Sequence, residues 1–367
     1  MKKIGIIYLG KKGGPTVDTL EMCKALIEKK DLYIVLSKQI ENLEEYKQLE
    51  SQNPGKITIL TINTYNNKID FLLKTLNVLR FLIISNKIKK QKLDFIYFPM
   101  VTYWGALLSI FLKKQKLVTA IHDPECHIGE ENTLFEKLTK INVKNSQNLV
   151  VFSKKFIKPV SNKYSFPIEK ICELKLGGYS YYLKKKSNEN VNVKNNKILF
   201  FGRISEYKGL QVLLEAVKEM RNSGSKVVVK VVGNGKLTEK EQLLVSELGS
   251  GVELINRWIQ DEEIEDFFSD IDFTVLPYIQ ASQSGVVMLS YAMKKAVLAT
   301  DVGALDEQVL DDSGIIVEPR NVDALIDGIQ KLYANNSFIS KGERGYYYAT
   351  QEWTWEKQAK RLIEFLN

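Results

Sequence analysis

The chain has 367 residues, of which 44% are hydrophobic, and a formal net charge of +8. This length predicts two or three domains, each with a buried core of its own. No segment approaches the roughly 20 apolar residues that span a bilayer, and the apolar run after Met1 is too short for a secretory signal. Three widely spaced cysteines, Cys23, Cys126 and Cys172, argue against a disulfide framework. We therefore expect a cytoplasmic protein.

The positive charge is concentrated in the first half of the chain. Residues 1–178 contain more Lys and Arg than Asp and Glu, whereas residues 179–367 have a slight excess of acidic residues. A basic half suits an anionic membrane, nucleic acid or a phosphorylated acceptor, and a merely Lys-rich composition is the simpler alternative. Because no aromatic and basic platform or recognition helix is present, we expect no nucleic-acid partner.

Apolar runs of strand length alternate with segments of helical periodicity, which predicts parallel sheets covered by helices. In the first half, strands are expected at residues 3–9, 32–36, 57–62, 93–98, 117–121 and 149–152. In the second half they are expected at residues 198–201, 227–232, 252–255, 273–276 and 297–300. The polar, Asn-rich residues 184–197 separate the halves. We predict domains over residues 1–180 and 181–351, and a helix over 352–367 that packs back on the first domain.

Glycine-rich loops follow two of these strands, at the sheet edge where open α/β sheets bind ligands. Gly13 and Gly14 follow the first strand, and Gly233 and Gly235 form a turn after a later one. Such turns let the backbone approach a ligand closely. Neither loop has the spacing of a dinucleotide fingerprint or a P-loop, which disfavours a nicotinamide-dependent oxidoreductase.

Two cations follow the predicted strand over residues 198–201. That strand ends in Gly202 and Arg203, and Lys208 lies beside the start of the next helix. Free N–H groups at a helix N-terminus favour phosphate. Arg and Lys together suit a diphosphate that gains negative charge as it leaves, although a solvated surface turn is the alternative.

Polar residues also follow two other predicted strands. His122 lies at a strand tip, where it can exchange a hydrogen bond with a substrate. Ser284, Gly285 and Val286 begin a helix and present N–H groups to an anion, unless Ser284 is an ordinary cap. The loop after His122 is rich in acidic residues but lacks the spacing of a zinc site, so we expect no metal.

Together these features resemble glycosyltransferase family 4, the retaining, sugar-nucleotide-dependent enzymes of the GT-B fold. The resemblance covers nearly the whole chain and depends on the order and spacing of short motifs. These are Gly13-Gly14, His122-Asp123, Val151-Phe152-Ser153, Gly202-Arg203 with Lys208-Gly209, residues 232–235, 273–277 and 299–303 with Glu307, Gly314, and Thr354-Trp355-Glu356.

The resemblance implies an α/β protein with two doubly wound Rossmann-like domains facing a central cleft. The first would bind the acceptor, and the second would bind the sugar nucleotide. Arg203 and Lys208 would hold the diphosphate, and His122 would approach the transferred sugar as the third catalytic residue. The donor would be bound by Gly13, Gly14, Gly202, Gly233, Asn234, Arg257, Trp258, Ser282, Gln283, Ser284, Gly285 and Val286.

One departure concerns two glutamates that the family places eight positions apart. Here the positions fall on Ser282 and Ser290 or, without a gap, on Ala281 and Leu289. We prefer the gapped alignment, with Ser282 and Gln283 making neutral hydrogen bonds to the sugar. The expected function is retaining transfer from a nucleotide-sugar, UDP-linked rather than GDP-linked, to a glycan or lipid-linked oligosaccharide in surface polysaccharide or glycoconjugate biosynthesis, without a cofactor.

Two alternatives remain open at this point. A non-catalytic partner subunit of another glycosyltransferase would explain the missing glutamates. A two-domain sugar-nucleotide epimerase would require acidic residues or histidines that only His122, Asp123 and the nearby loop supply.

The acceptor is suggested by residues 71–92, which form an apolar-faced segment that ends in a Lys cluster. A helix on the surface of an anionic membrane fits this pattern, and so does a core helix with a solvated end. The first interpretation places the protein at the inner face of the cell membrane with a lipid-linked acceptor.

Overall fold

The computed structural model describes residues 3–124, 133–179 and 194–367. These residues divide into two compact units. Unit 1 contains residues 3–124, 133–176 and 355–367, and unit 2 contains residues 177–179 and 194–354. The expected domain boundary near residue 180 lies outside the described residues. The short stretches 177–179 and 352–354 belong to unit 2, whereas the sequence assigns them to the first domain and to the terminal helix.

Unit 1 is built on a parallel sheet of seven strands in the order β3-β2-β1-β4-β5-β6-β7. The strands are β1 Lys3–Tyr8, β2 Asp31–Ser37, β3 Ile57–Ile62, β4 Phe95–Phe98, β5 Leu117–Ile121, β6 Asn148–Val151 and β7 Ile171–Glu173. Most are near-continuous apolar runs, because helices cover both faces of a parallel sheet. The edge strand β7 has three residues and was not predicted.

The described helices of unit 1 precede or follow these strands. They are α1 Gly14–Ile27, α2 Leu43–Gln52, α3 Lys68–Leu76, α4 Val78–Lys89, α5 Tyr103–Leu112, α6 Thr133–Asn145 and α7 Ile157–Tyr164. The segment over residues 71–92 was expected to form one helix, and this was wrong. It belongs to α3 and α4, which meet at Asn77, because the Asn77 side chain caps α4 by accepting a hydrogen bond from the Arg80 N–H at 3.3 Å.

Unit 2 contains a parallel sheet of six strands in the order β10-β9-β8-β11-β12-β13. The strands are β8 Lys197–Phe201, β9 Val228–Gly233, β10 Val252–Asn256, β11 Phe273–Leu276, β12 Ala296–Thr300 and β13 Gly314–Val317. The edge strand β13 was not predicted. The described helices are α8 Leu210–Asn222, α9 Glu239–Leu248, α10 Ile264–Ser269, α11 Gly285–Ala292, α12 Leu305–Gln308, α13 Val322–Tyr333 and α14 Ser337–Tyr347.

The core of unit 2 lies between this sheet and its helices. Ile198, Val229, Phe273 and Leu298 on four neighbouring strands are completely buried. At the amino edge of the sheet, Lys230 forms an ion pair with Asp270, which also accepts a hydrogen bond from Lys197 at 2.8 Å. Apolar burial therefore stabilises the middle of the sheet, and paired charges lie at the edge remote from the loops that follow the strands.

The chain returns to unit 1 through α15, Trp355–Leu366, which packs against α1. Within unit 1, Gln358 Oε1 accepts a hydrogen bond from the Lys175 N–H at 2.8 Å, and the Arg361 guanidinium lies 2.9 Å from Glu173. Cys23 and Cys172 are buried free thiols, and Cys126 lies outside the described residues. In the ranges that the structure describes, no helix has the length and apolar character needed to cross a bilayer.

Candidate donor site

The candidate site lies at the carboxyl edge of the second sheet, where the strand order changes direction. β8 lies between β9 and β11, so the chain runs outward from β8 on both sides. Loops at such a switch point diverge to opposite faces and leave a crevice, which is where open α/β sheets bind ligands. The loops in question cover residues 202–209 and 277–284. They contact each other, since the Ile279 N–H donates to the Tyr207 carbonyl at 2.8 Å.

The loop after β8 positions both predicted phosphate ligands. Gly202 adopts a positive φ of 117°, and the exposed Arg203 follows it. A short 3₁₀ turn, Glu206–Lys208, leads to Gly209, which has a φ of 67°. A Cβ on Gly209 would collide with the Pro277 carbonyl oxygen, so glycine is required here. α8 begins at the next residue, which places Lys208 beside its N-terminus.

The Lys208 ammonium lies on the face of an aromatic ring. Its Nζ is 3.8 Å from the centroid of Tyr278 and 5.4 Å from that of Tyr207. Both rings attract the cation through their negative π faces. The Tyr278 hydroxyl is in turn 3.2 Å from Ser284 Oγ, and burial raises the pKa of Tyr278 well above the ordinary value of a tyrosine. Tyr278 therefore links Lys208 to the residue that caps α11.

The N-terminus of α11 is fixed by side chains on both sides. Ser284 Oγ accepts a hydrogen bond from the Val286 N–H at 3.3 Å, which is a typical helix cap. The Gln308 amide holds the Ser284 backbone twice, because Oε1 accepts from its N–H at 2.8 Å and Nε2 donates to its carbonyl at 3.3 Å. A Cβ on Gly285 would press against the Tyr179 hydroxyl. Sequence reasoning missed Gln308, because no spacing pattern connects it to Ser284.

The two positions of the absent glutamates lie in different environments. Ser282 is buried, and its carbonyl accepts a hydrogen bond from the Ala304 N–H at 2.9 Å. Gln283 is half-buried beside it. Ser290 is completely buried, and its hydroxyl donates within the core to Thr274 Oγ1 at 2.9 Å. Ser290 therefore occupies a packing position, and Ser282 and Gln283 remain next to the cap of α11.

The turns after β9 and β10 meet the loop after β8. A Cβ on Gly233 would overlap the Gly202 carbonyl oxygen, which shows how closely the two backbones approach. The carbonyl of the exposed Asn234 accepts a hydrogen bond from the Ile204 N–H at 3.0 Å, and the Gly233 carbonyl accepts one from the Arg257 N–H at 3.0 Å. The structure thus brings Gly202, Gly233, Asn234 and the Arg257 backbone together.

The Arg257 side chain binds a neighbouring carboxylate. Its Nη1 and Nη2 atoms lie 2.8 and 2.5 Å from the two oxygens of Glu263, a bidentate pair. Hydrogen bonds from Arg257 hold the pKa of Glu263 at about 2. Trp258, next in the chain, is 47% exposed. The exposed Trp258 ring therefore follows an arginine whose guanidinium is already paired with Glu263.

The two predicted donor glycines of unit 1 lie at the start of α1. Gly13 precedes the helix with a φ of 91°, and Gly14 is its first residue. The Gly13 N–H donates to Glu41 Oε1 at 2.7 Å, and the Thr16 hydroxyl donates to the same oxygen at 3.0 Å. The chain's own carboxylate thus occupies an anion-binding helix end. Sequence reasoning missed Glu41, which is distant along the chain.

His122 directly follows β5 in unit 1. Its Nε2 lies 2.8 Å from the Pro99 carbonyl oxygen, and its ring centroid lies 4.5 Å from that of Phe152. A carbonyl only accepts, so Nε2 carries the hydrogen and a neutral ring has Nδ1 as its acceptor. Burial lowers the pKa of His122 despite the hydrogen bond to Pro99. The acidic loop after it, residues 125–131, lies outside the described residues.

Part of the second half of the chain is similar to a known family of proteins. Residues 195–335 match the model of a family described as "Glycosyl transferases group 1". That range contains the loops after β8 to β12 and all the predicted donor residues of unit 2. An uncharacterized glycosyltransferase of Methanocaldococcus jannaschii is 29% identical over 220 residues, which are 54% of this chain and 60% of that protein.

Two relatives carry names that state a reaction. The lipopolysaccharide 1,2-N-acetylglucosaminetransferase of Salmonella typhimurium is 28% identical over 180 residues, 46% of this chain and 47% of that protein. The GDP-mannose-dependent alpha-(1-6)-phosphatidylinositol monomannoside mannosyltransferase of Mycolicibacterium smegmatis is 27% identical, with the same coverage. The chain spans only about half the length of these two relatives.

Solved structures match along the whole chain. HepE of Anabaena, in complex with UDP and glucose, superposes with a TM-score of 0.74 at 16% identity, covering 100% of this chain and 99% of that one. TarM of S. aureus gives 0.72 at 13% identity and covers 100% of both chains. The chain has the GT-B fold. The family model that matches residues 195–335 and the relatives named above are those of glycosyltransferases.

Proposed function

We propose that the chain transfers a sugar from a nucleotide-sugar donor to a glycan or lipid-linked acceptor with retention of configuration, as a member of glycosyltransferase family 4. The observation that carries this proposal is the arrangement at the switch point of unit 2. There Arg203 and Lys208 follow β8, and the capped N-terminus of α11 follows β11, within the segment that matches the family. Two cations and the positive end of a helix dipole suit a diphosphate, and the Ser284 and Val286 N–H groups at that end already donate to the Gln308 and Ser284 side chains.

The donor is proposed to be UDP-linked. HepE and TarM were solved with UDP, whereas the mycobacterial relative is named for GDP-mannose, so the nucleotide requires a direct test. The exposed Trp258 would stack with the base, and the neighbouring Arg257 guanidinium is paired with Glu263. With serines at the aligned glutamate positions, Ser282 and Gln283 would bind the sugar through neutral hydrogen bonds. The donor would then be held chiefly through its phosphates.

The proposed reaction needs no protein nucleophile. The acceptor hydroxyl attacks the anomeric carbon on the face from which the diphosphate leaves, so the new C–O bond forms on the same side as the one that breaks. The acceptor proton passes to an oxygen of the leaving diphosphate. Arg203 and Lys208 stabilise the negative charge that grows on that group. Neutral His122 would orient the transferred sugar.

The acceptor is proposed to be part of a surface polysaccharide or glycoconjugate and to be bound by unit 1. The relatives from Salmonella and Mycolicibacterium are named for lipopolysaccharide and for a phosphatidylinositol mannoside. The excess of Lys and Arg in residues 1–178 favours an anionic or phosphorylated acceptor. A lipid-linked glycan meets both conditions.

A thermal-shift panel is the first test of this proposal. UDP, GDP, CDP, UDP-glucose, UDP-N-acetylglucosamine and GDP-mannose are each added to the full chain, and the melting temperature is measured. A ligand at a hundred times its dissociation constant adds about 2.7 kcal/mol of stability, so one nucleotide series should raise the melting temperature by several degrees. The sugar conjugate of the nucleotide that binds should then be hydrolysed slowly by the chain, which a separate assay of nucleotide formation measures.

A second candidate function is that of a non-catalytic partner of another glycosyltransferase. The burial of Ser290 favours it, because that residue makes core contacts where the family has a ligand-binding glutamate. The same panel separates the two. A nucleotide that binds without any turnover of its sugar conjugate would support the partner, and the absence of any shift would contradict the donor site itself.

A further inference from the structure

Helices α3 and α4 expose a continuous row of aliphatic side chains. More than half of the large hydrophobic side chains exposed in the described part of the chain lie within residues 69–83. Each is between 39% and 77% exposed. We call this group the α3–α4 aliphatic face, and its members are Ile69, Leu72, Leu73, Leu76, Val78, Leu79, Leu82 and Ile83. Contiguous patches of this kind mark interaction sites, whereas single exposed aliphatic residues are ordinary.

The helical spacing explains why these side chains share a face. In α3, the exposed positions are 69, 72, 73 and 76, and in α4 they include 79, 82 and 83. Residues three and four positions apart lie on the same side of a helix. Asn67 and Asn77 cap the two helices through hydrogen bonds of 2.9 and 3.3 Å to the Asp70 and Arg80 N–H groups. Both helices are therefore well formed.

The opposite sides of both helices are anchored on an aromatic cluster. Trp104 donates through its indole N–H to Thr75 Oγ1 at 3.0 Å, and its ring centroid lies 5.3 Å from that of Phe81. The ring of Phe71 packs against Tyr65 at 4.9 Å, and the Arg80 guanidinium lies over Trp104. The aliphatic face cannot turn inward without breaking these contacts.

A cluster of lysines continues the aliphatic face toward the end of α4. Lys87 and Lys90 lie four and seven residues after Ile83, on its side of the helix, and both are exposed. Lys89 and Lys92 lie in the same stretch. Asp70 is the sole acidic residue of the sequence between positions 68 and 92, and its carboxylate lies 2.8 Å from Lys74. The face thus combines apolar and positively charged residues.

We propose that the α3–α4 aliphatic face docks on the surface of an anionic lipid bilayer. The aliphatic side chains would insert at the level of the headgroups, and the lysines would contact anionic phosphates, the arrangement of an interfacial amphipathic helix. Charge complementarity favours lipid over a second copy of this chain. A second copy would bring the same Lys-rich surface against this one, whereas a leaflet of phosphatidylglycerol offers a negative charge on every headgroup.

Cosedimentation with vesicles tests the proposal and needs neither donor nor acceptor, so its outcome is independent of the proposed transferase activity. The full chain should bind vesicles of phosphatidylglycerol and phosphatidylcholine at low salt, and it should bind pure phosphatidylcholine at least about tenfold more weakly. The variant Leu73→Ser/Leu76→Ser/Leu79→Ser should lose at least about tenfold in partition. The matched control, Leu134→Ser/Ile168→Ser/Leu243→Ser, removes similarly exposed aliphatic residues elsewhere and should remain within about twofold of wild type.

A second variant and its matched control test the contribution of the lysines. Lys87→Glu/Lys90→Glu should weaken binding to the anionic vesicles by at least about tenfold, whereas Lys140→Glu/Lys144→Glu on α6 should change it by less than about threefold. Circular dichroism checks that each variant is folded. Failure of the wild-type chain to bind anionic vesicles, or equal losses in the variants and their controls, overturns the proposal.

A polarity-sensitive dye distinguishes lipid from a second copy. The variant Leu76→Cys/Cys126→Ser leaves Cys23 and Cys172, which are buried, as the other thiols. A dye on the thiol introduced at position 76 should shift to the blue when anionic vesicles are added and should be insensitive to protein concentration. A blue shift that grows with protein concentration without lipid would show that a second copy covers the face, and no shift under either condition would also reject the proposal.

Discussion

Replacing Lys208 by Ala tests the proposed role of the switch-point cations most directly. The Lys208 side chain is half-buried, and its Nζ lies 3.8 Å from the centroid of the Tyr278 ring. We take a similar separation, about 4 Å, between Nζ and an oxygen of a bound diphosphate. Two unit charges about 4 Å apart attract by about 4 kcal/mol at an effective dielectric constant of about 20. If about half of a new charge has developed at the transition state, the differential stabilisation is about 2 kcal/mol.

That energy corresponds to a loss of about 30-fold in kcat, within a range of about tenfold to a thousandfold. Formation of UDP in a single turnover, with enzyme in excess over the UDP-sugar and the reaction quenched before analysis, measures the chemical step without interference from product release. Lys208→Arg keeps the charge and should retain part of the activity, although its planar fork differs from the Lys ammonium. Lys226→Ala removes an exposed Lys at the amino edge of the same sheet and should leave kcat within about twofold.

Three results would refute this reasoning. An unchanged kcat for Lys208→Ala would remove the residue from the mechanism. A loss confined to KM would show that Lys208 binds the donor equally in the ground state and the transition state, so that it adds affinity and no rate enhancement. Equal losses in Lys226→Ala would point to a general effect of net charge.

Three further predictions concern stability, each measured by thermal or denaturant unfolding. Gly285→Ala should lower the free energy of unfolding by about 1–2 kcal/mol, because the added methyl group meets the Tyr179 hydroxyl. Tyr179→Phe removes that hydroxyl and should restore part of the lost stability in a double-mutant cycle. Additive effects of the two substitutions would exclude the contact. Burial alone would raise the pKa of Asp270, but hydrogen bonds from Lys197 and Lys230 outweigh it and lower the pKa. The contribution of Asp270 to stability should therefore be lost as the pH drops below about 4. Asp270→Asn should make the acid-induced loss of stability smaller and should cost about 1 kcal/mol at pH 7, a figure discounted for the partial exposure of the ion pair. Burial lowers the pKa of His122, so stability should also fall as the pH drops below about 6.5, the value of a free imidazole, and an unchanged pH profile in His122→Gln would contradict this.

The interior of both sheets could be predicted from sequence because buried parallel strands are long apolar runs. The two strands that were missed, β7 and β13, are both edge strands and have three and four residues. An edge strand has one neighbour and less buried surface, so its apolar pattern is short. The break at Asn77 was missed for a different reason, because the apolar periodicity of residues 71–92 continues across it and only the side-chain cap reveals the start of α4.

The candidate donor site was predictable to the extent that local sequence determines it. Glycine at a strand end and cations before a helix are local signals, and the structure places Gly202, Arg203 and Lys208 in one loop beside α8. The residues that hold those groups come from distant parts of the chain. Tyr278 lies 70 positions after Lys208, and Gln308 lies 24 positions after Ser284. No spacing rule connects such pairs, so only the folded chain shows them.

These distant partners have one consequence for how the proposed donor would bind. The Gly13 N–H is bonded to Glu41, the Arg257 guanidinium to Glu263, and the Lys208 ammonium lies on Tyr278. A buried or half-buried polar group without a partner lowers the stability of the fold, and in each of these cases the chain itself supplies the partner. A phosphate that binds one of these groups would replace the group's present partner. The net binding free energy would then be the difference between the new interaction and the one that is lost. Lys208 keeps its full positive charge on the Tyr278 ring, so it would stabilise a diphosphate that gains negative charge beside it.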